Sequence, residues 1–299
     1  MTHRSRTRGV TSDSESKADL ERPLPAELVR FRTFASPFAN GSDEPDVFDH
    51  LRGRLRFKDI TTFNDPFEAK PHHIAAFQDT AQQRAAMLRY LADIAPIQGS
   101  MTARRRWAEA RIAGKGQQEI IELIADSIAK QDQSGEMFVF CLMAPEVVAT
   151  PLPWSHYADS HRGVCLHFDA SVMPIKLAFA VEYSSEYPTV KVPRTEQTDW
   201  TGVKSMLLRK SNLWSYEQEY RVFRLKYADG TALNLYRVWD GDAAIAPSNV
   251  CTGITFGCRM EQSVRERLVN WIRENTPHVQ VWQAKQHRSR YELQRERVI

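Results

Sequence analysis

The amino-acid sequence predicts an α+β domain with mixed, mostly antiparallel sheets, and three observations lead to this prediction. About seven to nine short runs of alternating or continuous apolar residues are typical of strands. Helical patterns fall between these runs at irregular intervals, whereas a doubly wound parallel sheet requires a regular alternation of strands and helices. No glycine-rich phosphate loop follows a predicted strand, so the sequence lacks the dinucleotide-binding and P-loop fingerprints.

Composition sets the domain limits and the general class of the protein. The chain has 299 residues, of which 42% are hydrophobic, as expected for a globular protein with a sizeable core. Residues 1–22 are polar, basic at first and then rich in serine and acids, which predicts a disordered tail before a single domain over residues 23–299. No run of about 18 apolar residues and no secretory signal is found, so we expect a cytoplasmic protein without a membrane partner. Four widely spaced cysteines indicate reduced thiols and not a zinc site.

The first elements of the domain are predicted as a strand, a short helix and a second strand. Residues 27–34 (ELVRFRTF) alternate apolar and basic side chains, as a half-buried strand does. Residues 47–57 (VFDHLRGRLRF) indicate a helical turn, a break at Gly53 and a strand. The loop FNDPFE (63–68) follows, because Pro66 cannot continue a strand ladder.

Residues 74–130 differ from the rest of the chain and predict a helical insert. They are rich in Ala, Gln, Arg, Leu and Ile at helical spacing, and a break at 96–99 separates two or more amphipathic helices. After the insert, the patterns predict strands at 136–143, 164–169, 177–183, 220–227 and 252–257, helices at 205–214 and 261–275, and a terminal hairpin of 279–286 with 291–298.

Basic residues cluster in two places, although the net charge of +3 is too small to indicate a nucleic-acid partner by itself. The clusters are Arg104–Arg106 in the insert, and Lys285, Arg288, Arg290, Arg295 and Arg297 near the C-terminus. Solvated faces are the favoured interpretation, and a phosphate-rich partner is the alternative.

Three stretches contain the candidate site residues, and the first is the opening strand. Arg30 and Arg32 share one face of this strand, because side chains two residues apart point the same way. Both are candidate site residues, and the alternative is that both face solvent opposite Val29 and Phe31.

The second stretch is WSHYADSHRGVCLHFD (154–169), which holds three histidines. His156 and His161 are five residues apart, a poor spacing for a metal site on a helix, so hydrogen-bonding structural roles are favoured. His156 stays a candidate contact for a cofactor. Tyr157 is the favoured site residue, because its ring can stack on a planar ligand while the hydroxyl finds a partner.

The third stretch is WSYEQEYR (214–221). In extended backbone Glu217, Glu219 and Arg221 project to the same side, which predicts either a solvated edge or a partly desolvated acid pair of the kind kept for function. The predicted walls of the pocket are Phe63, Asn64, Asp65, Trp154 and Trp214. Asn64 and Asp65 are expected mainly to cap a turn that fixes Phe63 and Phe67 in the core, and no metal site is expected.

These stretches resemble a bacterial family of unknown function. Its members share an early aromatic-basic strand, a loop close to F-N-D-P-F-[DE], a segment close to W-S-H-Y-A-x-x-H-x-G before a strand, and a late W-x-x-E-x-E-x-R. Here they correspond to VRFR (29–32), FNDPFE, WSHYADSHRG and WSYEQEYR, in that order. The family implies no known activity.

A looser resemblance, to ADP-ribosyltransferases, implies a mechanism. The matching parts are Arg30 or Arg32 on the first strand, Gly53 to Phe57, Tyr157, and Glu219 at a late strand. The resemblance implies a split β-sandwich that grips NAD as its substrate. It further implies a transferase or NAD glycohydrolase, of the kind expected in a bacterial toxin, effector or defence protein.

The roles implied by this resemblance fit the residue types. Glu219 would stabilise the positive charge that develops when the nicotinamide bond breaks, and Glu217 would orient the acceptor or take its proton. A strand arginine would bind the pyrophosphate and Tyr157 would stack on nicotinamide, with His156 and Arg221 as further cofactor contacts. A protein or a nucleic acid would be the acceptor.

Two alternative functions remain open from the sequence. One is a non-enzymatic module that binds a nucleotide or another partner through the same pocket. The other is a metal-dependent nuclease in which Asp65, Glu68, Glu217 and Glu219 gather a divalent ion, although Arg221 stands where such sites usually place a lysine.

Overall fold

The computed structural model describes residues 22–34, 46–69, 72–75, 80–132, 137–192, 205–225 and 236–299. The predicted disordered tail lies outside these residues except for Arg22. The Arg22 guanidinium donates hydrogen bonds to the carbonyl oxygens of Val181 (3.2 Å) and Glu219 (2.9 Å), so the tail is anchored to the domain at least from this residue. None of the described helices is long and apolar enough to cross a membrane.

The described residues contain sixteen short strands. They are β1 (Glu27–Arg32), β2 (Arg54–Arg56), β3 (Lys58–Asp59), β4 (His72–Ala75), β5 (Met137–Met143), β6 (Val164–Asp169), β7 (Phe179–Ala180), β8 (Glu182–Ser184), β9 (Thr189–Val192), β10 (Arg209–Ser211), β11 (Glu219–Leu225), β12 (Trp239–Asp240), β13 (Ala243–Ile245), β14 (Cys251–Phe256), β15 (Gln280–Gln286) and β16 (Leu293–Arg297).

One sheet forms the centre of the described part of the chain and joins nine of these strands. Its order is β16-β15-β14-β6-β1-β5-β11-β7, with β3 paired to β5 off this path. All of its pairs are antiparallel except β14 with β15, and smaller pairings elsewhere are of both kinds. The predicted α+β class with mixed, mostly antiparallel sheets is therefore confirmed. The strands of this sheet follow one continuous path of pairing, and a division into two sheets stays an implication of the ADP-ribosyltransferase resemblance.

Six helices have both ends within the described residues, and residues 205–208 form a further helical segment. They are α1 (Asp46–Leu51), α2 (Thr80–Asp93), α3 (Met101–Ile112), α4 (Gln117–Asp132), α5 (Pro151–Tyr157) and α6 (Gln262–Asn275). The predicted insert consists of α2, α3 and α4, whose apolar faces form a core of their own. Strand β4 precedes the insert and pairs in parallel with β9, which comes much later in the chain.

The two faces of the main sheet bury different groups, and strand register decides which residues belong to which face. Residues directly opposite each other in an antiparallel pair point to the same side. Val29 lies opposite Met143, and Met143 lies opposite Glu219, so these three side chains share one face. Alternation places Arg30 and Arg32 on the other face.

Three local predictions were wrong in detail. The stretch 205–214 is helical only at 205–208, after which it forms β10 and then a 3₁₀ helix, Asn212–Glu217. The predicted strand at 177–183 is broken at Val181 into β7 and β8. A 3₁₀ helix, Pro145–Ala149, lies within APEVVATPLP (144–153), which the sequence predicts as a loop after the strand at 136–143. Short apolar runs fit helix and strand equally well, and local patterns do not distinguish them.

Gly163 lies where the chain turns from α5 into β6, and no side chain fits there. A Cβ atom at this position would overlap the carbonyl oxygen of Arg32 and the backbone of Ala158, both of which belong to rigid elements. We expect Gly163→Ala to lower the free energy of unfolding by about 2–3 kcal/mol, because overpacked cores lose about that much. Urea unfolding followed by tryptophan fluorescence measures the change. Gly114→Ala serves as the control, because no atom lies within 4 Å of its added Cβ. The control is imperfect, because the φ of Gly114 is positive and an alanine there is strained without any overlap. Equal effects of the two substitutions would mean that overlap at Gly163 is not the cause.

Candidate functional site

Helix α5 fixes the position of Tyr157 through a buried tryptophan. Trp154 is fully buried, its indole nitrogen donates to the carbonyl oxygen of Val148 (2.8 Å), and its ring meets Phe31 edge to face. Tyr157 lies three residues later and therefore on the same side of the helix. Trp154 acts as packing beneath the site and is not a wall of it.

A strained turn follows this helix and holds the second histidine of the motif. Asp159, Ser160 and His161 all have positive φ, a backbone region that costs about 1–2 kcal/mol per residue for side chains other than glycine. The His161 ring stacks on Trp154 with a centroid distance of 6.5 Å, and its Nε2 lies 3.0 Å from Ser155 Oγ. These contacts give His161 a structural role in the turn.

The carboxylates of Glu217 and Glu219 converge because the backbone changes direction between them. Glu217 ends the 3₁₀ helix, Gln218 adopts a left-handed conformation (φ 46°), and β11 begins at Glu219. Glu219 and Arg221 share a strand face, as predicted. The prediction of extended backbone at Glu217 was wrong, because the left-handed residue and not strand alternation brings this carboxylate to the same place.

Five buried side chains from three stretches form what we call the buried charge cluster: Glu68, Lys210, Glu217, Glu219 and Arg221. The Lys210 ammonium lies at its centre, 2.7 Å from a Glu217 oxygen, 3.0 Å from a Glu219 oxygen and 3.8 Å from a Glu68 oxygen. At most 8% of any of these side chains is exposed. The cluster holds three carboxylates and two cations.

The Arg221 guanidinium is held by three neighbouring groups. Its Nε and Nη2 donate to both oxygens of Glu219 at 2.7 and 3.0 Å, its Nη1 donates to the carbonyl oxygen of Leu207 (2.6 Å), and Nη2 also contacts Glu68. Burial lowers its pKa to about 9. Arg221 was predicted as a cofactor contact, but its guanidinium is fully buried, so it positions Glu219 instead.

Tyr157 connects the buried charge cluster to the outside. Its hydroxyl donates to Glu217 Oε1 at 2.5 Å while the side chain stays partly exposed. Burial and the adjacent Glu217 charge raise the pKa of Tyr157, so the phenol keeps its proton. Burial also raises the pKa of Glu219, and repulsion from Glu217 adds to the effect while Lys210 opposes it.

Aromatic rings lie around this tyrosine, and we call His156, Tyr157, Trp214 and Tyr216 the aromatic rim. The His156 ring lies 6.2 Å from Tyr157, 6.2 Å from Trp214 and 6.3 Å from Tyr216 between centroids. Lys210 lies under the Trp214 ring at 5.2 Å, which joins the rim to the cluster. These half-exposed and exposed rings offer flat apolar surface directly above buried charges.

One carboxylate and one phenylalanine ring of the FNDPFE loop lie at the buried charge cluster. Asp65 accepts a hydrogen bond from the backbone of Phe67 (2.9 Å), so the predicted turn-capping role of Asp65 agrees with the geometry. Phe63 packs on the Arg221 guanidinium at 5.6 Å, which makes it a wall of the cluster. Asn64 is exposed, and Phe67 is 63% exposed and not in the core as predicted.

The structure does not bring the arginines of the first strand to this site. The Arg30 guanidinium lies over the Phe140 ring at 4.2 Å and donates to the carbonyl oxygen of Cys141 (2.6 Å) on the opposite face of the sheet. Arg32 shares that face. Their predicted place beside Tyr157 and Glu219 was wrong, because their alternation in β1 leaves Val29 and Phe31 on the side of the acids.

Three of the four acids considered for a metal site, all except Asp65, come together, but with two cations among them. Among the described residues, no group of three or more His, Cys, Asp and Glu side chains could hold a metal ion. Glu68, Glu217 and Glu219 surround Lys210 instead, so their charges are compensated within the protein. This geometry does not favour the nuclease alternative. The four cysteines are free thiols.

Sequence reasoning missed Lys210 altogether and assigned Glu68 only to a metal site. Lys210 was hidden because its stretch resembled a helix, in which it would be one polar residue among several. The signal that could have found Lys210 is the net charge of its neighbours. Two acids and an arginine predicted on one side of a buried edge leave an excess negative charge, which requires a further cation.

Comparison with known families agrees with this site. Residues 154–222 match the model of a family described as a protein of unknown function (DUF2971). The matched segment begins at Trp154 and ends one residue after Arg221, so it includes the aromatic rim and most of the buried charge cluster. The resemblance to a family of unknown function is thereby confirmed, whereas the resemblance to ADP-ribosyltransferases is not. No curated protein and no solved structure matches the chain.

Proposed function

We propose that the aromatic rim and the buried charge cluster form a cleft that binds NAD, and that the protein is an ADP-ribosyltransferase-like transferase or NAD glycohydrolase. The observation that supports this proposal is the contact between the Tyr157 hydroxyl and Glu217 beneath the rim. A planar ring can stack above a carboxylate that is held at a fixed place and shielded from water. A carboxylate so placed would lower the barrier to breaking the bond from nicotinamide to ribose, because positive charge develops on the ribose.

The geometry suggests different roles for the two acids. Glu217 shares one oxygen with the partly exposed Tyr157 and is therefore the carboxylate next to the opening. It would stabilise the positive charge that develops on the ribose. Both oxygens of Glu219 accept from Arg221, so Glu219 would act on the substrate only through Lys210 and Glu217. The proposal gives no pyrophosphate role to Arg30 or Arg32.

A nucleotide-binding module without catalysis is the second candidate. It is favoured by the complete pairing of Lys210 and Arg221 with carboxylates, because a cluster so satisfied needs no ligand and no reaction to explain it. The same cleft and the same rim would then bind the nucleotide. Release of nicotinamide from NAD distinguishes the enzyme from the binding module.

The test is nicotinamide release from NAD by the full chain, measured by chromatography, together with NAD binding measured by equilibrium dialysis. We expect turnover by the wild type and a loss of about 100-fold or more in Glu217→Gln, since removal of one preorganised electrostatic contact costs about 3 kcal/mol in the barrier. Tyr157→Phe should weaken turnover while keeping the stacking ring. Glu109→Gln, on the exposed face of α3, is the matched control and should retain full turnover.

Two results would contradict the enzymatic proposal. Saturable NAD binding without nicotinamide release would support the binding module. A wild type that neither binds nor cleaves NAD, although its unfolding transition shows a folded protein, would remove both candidates.

A further inference from the structure

A βαβ unit at the far end of the main sheet forms a second pocket. Strand β14, helix α6 and strand β15 follow one another, and β14 and β15 are parallel neighbours. Parallel neighbours end at the same edge of a sheet. The residues after β14, the first turns of α6 and the end of β15 therefore meet there.

The pocket at this edge has a volume of about 450 Å³ and is lined mainly by polar side chains. Its lining includes Cys258, Arg259, Arg265, Gln283, Lys285 and Gln286. The three cations come from three different elements, which is unlike a single solvated helix face. Their convergence on one concavity is the first observation that indicates an anionic ligand.

Gln283 fixes one of these cations in place. It is only 7% exposed, and its amide nitrogen donates to the carbonyl oxygens of Gly257 (2.9 Å) and Ala284 (3.0 Å). Its amide oxygen accepts from Arg265 Nη1 at 3.0 Å. Because the orientation of the amide is set by buried backbone, Arg265 is held towards the pocket before any ligand binds.

The positive charge of the pocket is only partly compensated. The Arg259 guanidinium makes no hydrogen bond or ion pair with the residues that the structure describes. Lys285 contacts Glu296 at 2.5 Å, but both side chains are more than half exposed, and such pairs contribute about 0–1 kcal/mol. A phosphate could replace Glu296 as the partner of Lys285 at little cost.

An ordered hairpin tip continues the pocket. Gln286 lines the pocket and ends β15, and the next residue, His287, accepts hydrogen bonds from the backbone nitrogens of Ser289 and Arg290, both at 3.1 Å. This turn presents Tyr291 with 99% of its surface exposed. Arg288 and Arg290 flank the same turn, and Arg290 forms an ion pair with Glu292 (3.1 Å). Arg295 and Arg297 of the basic C-terminal cluster lie on the other face of β15, the face of Trp282.

We propose that the basic pocket of Arg259, Arg265 and Lys285 binds phosphate groups of an anionic ligand. Guanidinium groups form paired hydrogen bonds with phosphate oxygens, and an exposed tyrosine can stack on a base. This pocket shares no lining residue with the buried charge cluster or the aromatic rim. It approaches them through the turn after α5, where the backbone N–H of Arg259 donates to the carbonyl oxygen of His161 (2.9 Å). The proposal does not depend on the proposed function.

The experiment uses the full chain and two probes, inorganic pyrophosphate followed by calorimetry and a fluorescent single-stranded RNA oligonucleotide followed by anisotropy. We expect saturable binding of at least one probe, and Arg259→Gln should weaken it about tenfold, since hydrogen bonds to charged groups contribute about 1.5–3 kcal/mol. The Arg259 side chain makes no contact that would be needed for folding. Arg259→Gln with Arg265→Gln should weaken binding further, and Arg105→Gln on α3 is the matched control.

The two probes distinguish the possible sources of the phosphate. Binding of RNA that Tyr291→Ala weakens, with pyrophosphate unaffected by that change, supports a nucleic-acid ligand. Binding of pyrophosphate that depends on Arg259, with no preference for RNA, supports a small phosphate ester. Absence of saturable binding of both probes at millimolar concentration, or equal affinity of wild type and the double variant, would overturn the proposal.

Discussion

Lys210→Met is expected to lower the free energy of unfolding by about 3–5 kcal/mol, the range measured when one partner of a buried ion pair is removed. The Lys210 ammonium is the cation shared by Glu217 and Glu219, and its side chain is 8% exposed. Without it, three buried carboxylates would face Arg221 alone. Urea unfolding at neutral pH, followed by tryptophan fluorescence, measures the change.

A control separates this effect from the loss of any lysine. Lys285→Met also breaks a contact with a glutamate, but both side chains are more than half exposed, and we expect a change within about 0.5 kcal/mol. Glu217→Gln in the Lys210→Met background should restore part of the stability, because it removes one uncompensated charge. A loss below about 1 kcal/mol in Lys210→Met would mean that the cluster is hydrated or rearranges, contrary to its burial.

Acid should destabilise the protein steeply below pH 6.5 because two histidines are buried in the neutral state. Burial lowers the pKa of His50 well below 6.5, and the nearby Arg30 and Arg32 lower it further. Burial also lowers the pKa of His167, although its hydrogen bond to Glu27 opposes this. The unfolded state therefore binds more protons than the folded state below pH 6.5, so stability falls as pH falls.

Each histidine that stays neutral in the folded state and is charged in the unfolded state contributes at most about 1.4 kcal/mol per pH unit. Urea unfolding between pH 6 and pH 5 measures the slope. His167→Gln should make the slope shallower, because one of the two titrations is removed. His72→Gln replaces an exposed histidine and should leave the slope unchanged. A slope that stays flat through this range would show that both rings accept protons in the folded state.

Local periodicity predicted the elements of this fold but not their arrangement. The strands at 27–32, 137–143 and 164–169 and the final hairpin follow alternating or apolar runs closely. The position of β1 between β6 and β5 could not be predicted, because it depends on contacts between residues more than 100 positions apart. Register decides the face of every side chain in a strand, and a shift of one residue exchanges the two faces.

The same dependence on contacts between distant residues explains which parts of the candidate site could be predicted from the sequence. The pairing of Glu219 with Arg221 could be predicted, because residues two apart in a strand share a side. The face of Arg30 could not, since it depends on the register of β1 against β5. The approach of the Glu217 carboxylate to that of Glu219 depends on one residue in the left-handed conformation, Gln218, which no sequence pattern requires. The contact of Tyr157 with Glu217 joins two of the predicted candidate residues, and the role of Tyr157 in a ligand site stays a prediction.

The central position of β1 has a consequence for synthesis on the ribosome. Both neighbours of this strand, β5 and β6, are encoded downstream of the helical insert. At about 5–20 residues per second, the roughly 100 residues between β1 and β5 take about 5–20 s to translate, during which the nascent strand has no partner. Its alternating arginines, Arg30 and Arg32, would discourage pairing with other nascent chains over that interval. The charges that end up buried in the finished sheet thus protect the chain before the sheet exists.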